Sequence, residues 1–232
     1  YGYKKNAIEG EVFGKEFKIN LKNNPKKIDF KLLETGISIS VNFTNNNQNK
    51  IIGNIKGKIL KAKIKSDFIY DQESIRIKKF YFREKNLSFN SEGIILLNPF
   101  LEINLETQIV HLNNKLLKNI NLESFLNFKN IIKKINSNTD FSFKQKKFSR
   151  SIIDNLNMKI NLAYGRLNIE KSFEISESEF KCNSETNLLE EYPVVSFDCN
   201  LLSQDKKKLL KKFDIKYKFK NEPLNIDVKG NL

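Results

Sequence analysis

Tryptophan is absent from this chain of 232 residues, and it holds one histidine, one methionine, two cysteines and four prolines. General acid–base and nucleophilic catalysis need partner groups within hydrogen-bond reach of one another. The single histidine, His111, ends a strand-like run beside Leu112, where a structural or solvent-facing role fits, and no serine sits in a nucleophile elbow. One histidine and two well-separated cysteines are too few ligands for a zinc-type site. The segment Gly53-Asn-Ile-Lys-Gly57-Lys58 resembles a shortened phosphate loop. It lacks a spacer residue, places Ile59 where Ser or Thr belongs, and precedes a strand instead of a helix. The chain therefore reads as non-catalytic, with no metal and no cofactor.

Arginine is also scarce. Only Arg76, Arg83, Arg150 and Arg166 occur, leaving 37 lysines among 41 cations and a net charge of +14. Base-reading and phosphate-clamping surfaces lean on arginine forks. The lysines alternate with apolar residues along strands, and Lys, Asn and Ile share A/T-rich codons, so a solvated sheet face explains the charge and no nucleic-acid partner is expected. A weak attraction to anionic lipid headgroups is compatible with surface lysines. No run approaches the ~18 consecutive apolar residues of a membrane-spanning helix. The chain opens on Tyr-Gly-Tyr without an initiator Met, as a piece of a longer protein would.

What the chain does have is alternation. Between Ile51 and His111, Leu60, Ala62, Ile64, Phe68 and Tyr70 occupy even positions, with Lys61, Lys63, Lys65 and Asp67 between them. That period puts one apolar row on one face of a strand. After the turn-like Asp71–Ser74, Ile75 to Phe82 forms a second strand. Leu87, Phe89, Ile95 and Leu97 mark a third, and Leu101, Ile103, Leu105, Thr107 and Ile109 a fourth. Short polar turns join them into an antiparallel meander with one apolar and one wet face. Phe (19 residues) and Ile suit such half-buried pleated positions.

The rest follows the same rule. A hairpin is expected around Gly14-Lys15, strands at Ile28–Leu32 and Ile37–Phe43, and a polar loop at Asn45–Lys50. Gly53 and Gly57 mark a kink or a close backbone approach. Leu122, Phe125, Leu126, Phe128, Ile131, Ile132 and Ile135 recur at helical spacing, so Leu122–Ile135 reads as a helix lying on or closing the apolar face. Strands resume at Thr139, a short basic helix follows a cap at Ser203, and strands at Ile215–Phe219 and Leu224–Leu232 finish the chain. The expected fold is all-β, mainly an antiparallel meander forming a long curved sheet or open β-groove, with one or two short helices. Its portions are residues 1–112, a helical segment 113–138, and residues 139–232. Cys182 and Cys199 lie in strand-like runs that would face each other as a hairpin. The alternatives are a disulfide, implying an oxidising compartment, and two buried thiols.

The stretches Gly57-Lys58-Ile59-Leu60, Phe68-Ile69-Tyr70-Asp71, Leu87–Gly93, Pro99-Phe100, Asn187–Pro193 and Phe197-Asp198-Cys199, in that order, resemble the AsmA-like family of bacterial envelope proteins. The resemblance implies an inner-membrane anchor outside this fragment and a periplasmic sheet. It further implies that the apolar concave face shelters phospholipid acyl chains, in lipid transport or outer-membrane assembly. The family supplies no catalytic motif. The candidate lipid-lining residues are Leu60, Ala62, Ile64, Phe68, Tyr70, Phe89, Ile95, Leu101, Ile103, Leu105 and Ile109. The competing expectation is a structural or adhesive β-protein whose strands close into a two-layer sandwich core.

Overall fold

The structure, a computed structural model, describes residues 2–4, 6–12, 15–22, 26–47, 50–113, 135–145, 151–216, 218 and 220–232. It divides into two compact units, Tyr1–Pro99 and Phe100–Leu232. The architecture is all-β and mainly antiparallel, as the alternation requires.

The first unit runs β1 (Gly2–Lys4), β2 (Ala7–Val12), β3 (Lys15–Lys22), β4 (Lys27–Leu32), β5 (Ile37–Asn47), β6 (Lys50–Ile59), β7 (Ala62–Tyr70), β8 (Ser74–Arg83) and β9 (Leu87–Leu96). Each strand pairs antiparallel with the next. The polar tract expected as a loop at Asn45–Lys50 is mostly strand. β5 continues to Asn47 and β6 begins at Lys50, with a register shift between Phe43 and Asn45. A ladder needs backbone groups and not apolar side chains, so asparagines extend a hairpin already in register.

In β8 the apolar residues change parity, from Ile75 and Ile77 to Phe80 and Phe82. The ladder to β7 shifts at the same place, Asp67 opposing Lys79 and Phe68 opposing Ile77. The extra residue is a β-bulge at Lys78-Lys79, which returns both phenylalanines to the face of Ile75 and Ile77.

The second unit comprises β10 (Leu101–Leu112), β11 (Ile135–Lys144), β12 (Asn155–Ala163), β13 (Arg166–Ile175), β14 (Ser178–Asn187), β15 (Val195–Ser203), α1 (Lys206–Lys212) and β16 (Leu224–Asn231). β10 and β11 pair in parallel, Leu101 opposite Ile135 through Ile109 opposite Phe143. The later ladders are antiparallel. The expected helix Leu122–Ile135 lies outside the described residues, apart from Ile135. That residue and the rest of the expected helical segment to Asn138 open β11 instead, because their backbone completes the ladder to β10.

Two further expectations are corrected. The helix cap is Asp205, whose Oδ1 accepts from the Lys208 amide at 2.8 Å. Ser203 closes β15, its hydroxyl 2.7 Å from that of Ser178. Of the strand expected at Ile215–Phe219, residues 215, 216 and 218 carry no regular structure, and Tyr217 and Phe219 lie outside the described residues. Lys208 pairs with Glu177 and Lys212 with Asp154 at 3.7 Å, seating α1 beside the β13–β14 turn.

Within each unit every strand is bonded only to its sequence neighbours, and no second sheet covers it among the described residues. Buried apolar residues are accordingly few among the described residues: Ala7, Ala62, Leu112, Phe143, Ile153, Ile175, Cys182 and Leu209. Among the described residues, neither unit forms the closed two-sheet interior of a sandwich.

The β7–β8 turn is held by Asp71, whose Oδ1 accepts from the Ser74 hydroxyl at 2.8 Å and the Ser74 amide at 2.9 Å. The Ser74 hydroxyl chiefly, with the Ser74 amide and the charge of Lys50, holds this carboxyl below its ordinary value against an opposing desolvation effect. A depressed folded value means that the turn's stabilisation is complete above the unfolded value and is lost as pH falls through the folded one. NMR titration should place Asp71 below an ordinary aspartate, and Ser74→Ala should move it back up.

Candidate functional site

Register assigns each side chain to a face. In the first unit Ile64 lies opposite Phe82, which lies opposite Phe89, and Tyr70 opposite Ile75, which lies opposite Ile95. Phe68 faces Ile77 on one side and Gly53 on the other. Ile64, Phe68, Tyr70, Phe89 and Ile95 therefore share one face and are half-buried, and Ala62 is buried at its end. Leu60 does not join them. It sits in the β6–β7 turn at φ 54° and is 65% exposed, because the even-position run passes through a tight turn before the strand begins.

The same face extends over strands beyond the expected list: Ile55 and Ile51 on β6, Ile39, Val41 and Phe43 on β5, Ile28 and Phe30 on β4, and Phe17 and Ile19 on β3. Their own alternation was the signal that could have included them.

In the second unit Leu101, Ile103, Leu105 and Ile109 are half-buried and lie beside Ile135, Ser137, Thr139 and Phe143 on a common face. It continues through Leu156, Met158, Ile160 and Leu162, then Ile169 and Phe173, then Phe180 and Cys182.

Ring contacts tie these faces together. Phe82 stacks on Phe89 at 4.9 Å and Phe173 on Phe180 at 4.7 Å, both directly opposite in their ladders. Such pairs contribute roughly 0.2–1 kcal/mol each. Phe43 and Phe68 both oppose Gly53, from β5 and β7, and meet edge to face at 6.5 Å. A Cβ on Gly53 would lie 2.7 Å from the Phe68 ring and 2.7 Å from the Asn42 carbonyl oxygen. Gly57 likewise accommodates Ile64, at 2.8 Å. Both glycines of the rejected phosphate loop thus serve side-chain packing. Small hydroxyl residues fill other crowded positions, with Ser66 between Ile55 and Phe80 and Thr139 between Leu105 and Ile160.

Lys171 is a residue that sequence reading passed over. It lies on the apolar face between Met158 and Cys182, with Ile169 and Phe173 two residues away on either side. It is half-buried and has no ion-pair partner among the described residues. The signal was an interruption: lysine at the odd position where β13 otherwise carries Leu167, Ile169, Phe173 and Ile175.

Cys182 and Cys199 oppose each other across β14 and β15 with Cα atoms 4.0 Å apart and are joined as a disulfide. His111 is exposed at the end of β10. Among the described residues no group of three or more His, Cys, Asp or Glu is arranged to hold a metal, and no helix is long and apolar enough to cross a membrane. On the opposite, polar side of the second unit, an open hollow of about 1040 Å³ is lined by residues including Asn161, Tyr164, Arg166, Asn168, Glu185 and Asn187. The chemistry available on the apolar faces is desolvation of hydrocarbon, with the ammonium group of Lys171 set inside the face of the second unit. No protein-family model, curated protein or solved structure matches the chain.

Two measurements check this packing. Gly53→Ala should destabilise the fold by about 1–3 kcal/mol, through overpacking against the Phe68 ring and the Asn42 carbonyl, read as a lower urea midpoint at unchanged slope. Reduction, or the paired change Cys182→Ala and Cys199→Ala, should remove about 3 kcal/mol of stability, and reductant should then have no effect on the paired variant.

Proposed function

We propose that this chain is a non-catalytic lipid-handling module of the cell envelope, whose apolar sheet faces shelter acyl chains. The observation that carries this reading is the continuous apolar face in each unit, half-exposed and without a second layer among the described residues. Large exposed apolar surfaces mark binding sites. A hydrocarbon chain laid along Phe, Ile and Leu gains about 0.8 kcal/mol for each CH₂ fully withdrawn from water.

These contacts carry no polar code, so recognition is by shape and length of hydrocarbon. Lys171 adds an ammonium within the apolar face of the second unit, able to pair with the acidic head of a phospholipid or fatty acid. The disulfide supports an oxidising compartment. The resemblance to AsmA-like proteins supports a periplasmic location, with attachment to the inner membrane by a segment outside this chain and a part in phospholipid transport or outer-membrane assembly.

The test is a photo-reactive residue placed at Ile64 or Ile103, with Ser40 and Glu170 on the polar faces as controls. The protein is purified without heating and irradiated in the absence of vesicles. Lipid adducts at the apolar positions and not at the controls, with acyl lipid found by mass spectrometry of the extract, are the expected result. Equal capture on both faces removes the reading.

A further inference from the structure

The polar face of the first unit holds a second feature that the lipid-sheltering reading does not use. Register brings the cations of three strands together: Lys58 opposes Lys63, which opposes Arg83, and Lys56 opposes Lys65. Lys79 lies one row further along, opposite Asp67, and Arg76 follows opposite Ile69. All seven cations are exposed, and none forms an ion pair with a described residue. Lysines that alternate along each strand in sequence are thus gathered into one patch in space.

Directly opposed like charges destabilise a ladder, so this arrangement has a cost in the isolated sheet. An overall abundance of lysine does not account for it. In the second unit no cation of the equivalent face opposes another among the described residues: Asp140 lies opposite Lys159 opposite Glu170, and Glu174 opposite Glu179. There Lys229 is bonded to Asp198 at 2.7 Å and Lys181 to Glu179 at 2.9 Å.

We propose that the β6–β8 face of the first unit docks on an anionic lipid surface. The charges are mostly lysines, point charges without the fork geometry that fixes a phosphate in one orientation, which suits a fluid array of headgroups. Single-stranded nucleic acid needs aromatic platforms for its bases, and Tyr81 is the one aromatic ring among the β6–β8 positions of this face. Tyr81, 44% exposed, lies within the basic patch opposite Lys65, and Ile52, 38% exposed, lies at its end opposite Ile69 in the row of Arg76. An amphipathic ring among the lysines and an aliphatic side chain at their border suit the boundary between headgroups and hydrocarbon. This inference is independent of what the apolar face holds.

The experiment is co-sedimentation of the purified chain with vesicles of phosphatidylcholine mixed with phosphatidylglycerol, against pure phosphatidylcholine, at low and moderate salt. A parallel arm uses duplex DNA. Binding confined to the anionic vesicles and weakening with salt is expected. Each neutralised lysine should lower partitioning by about fivefold. The combined variant Lys58→Gln, Lys63→Gln, Lys65→Gln should therefore lose about a hundredfold, while Lys181→Gln in the second unit binds as the parent does.

Relief of the opposed charges should leave the triple variant melting at or above the parent temperature, so lost binding is not lost folding. Its photo-capture of acyl lipid at Ile64 should be unchanged, which separates this proposal from the preceding one. Three results overturn the proposal: equal binding to neutral vesicles, full binding by the triple variant, or tighter binding to DNA through the same lysines.

Discussion

A strand displaced by one residue against its neighbour turns its entire side-chain pattern over, and both faces of this protein depend on that not happening. The protection is visible at particular places. The bulge at Lys78-Lys79 absorbs a residue that would otherwise send Phe80 and Phe82 to the wet side. A second shift, past Phe43, lies where β5 passes from apolar residues into asparagines. The rings of Phe43 and Phe68 meet over the bare backbone of Gly53, and a slip of either strand would drive a ring into a neighbour that has a Cβ. In the second unit the bond between Cys182 and Cys199 does covalently what ring packing does in the first.

Because register decides face, the oily and the basic surfaces of the first unit are one fact seen from two sides. The ladder that sets Ile64 beside Phe82 also sets Lys63 beside Arg83. Side chains on the apolar face remain half-buried, since a neighbouring strand shields only the flanks of a residue and not its tip. Serine and threonine at the tightest positions, Ser66, Ser91, Thr107 and Thr139, spare room for adjacent phenylalanines and leucines. Lys171 breaks the pattern on the second unit, and its interruption of an otherwise hydrocarbon strand is what gives that face a polar landmark.

Most of the strands were legible from period two alone, since alternation survives without long-range information. Ten of the eleven expected lining residues lie on the two apolar faces for the same reason, and Leu60 fails because a hairpin turn interrupts the strand without interrupting the parity. The asparagine-rich end of β5 was invisible because pairing there is a backbone matter. The parallel meeting of β10 and β11 was equally hidden, since strand direction leaves no mark on a side-chain pattern. Ser203 looked like a cap, but Asp205 stands within reach of the Lys208 amide while Ser203 is occupied across the sheet by Ser178. The opposition of cations across β6, β7 and β8 was hidden as well, because counting along one strand does not show what neighbouring strands add beside it.

Among the described residues of each unit, strand bonding runs from one strand to the next in the chain. Such a sheet has no central element on which distant parts must agree, so it can lengthen by repetition. One more hairpin widens it by two strand spacings, about 10 Å, and asks nothing of the hairpins already present except an edge to join. Evolution can tailor the span of such a surface by gene-internal duplication, the way a fence is extended by panels, whereas a sandwich or barrel would have to redesign its closure each time.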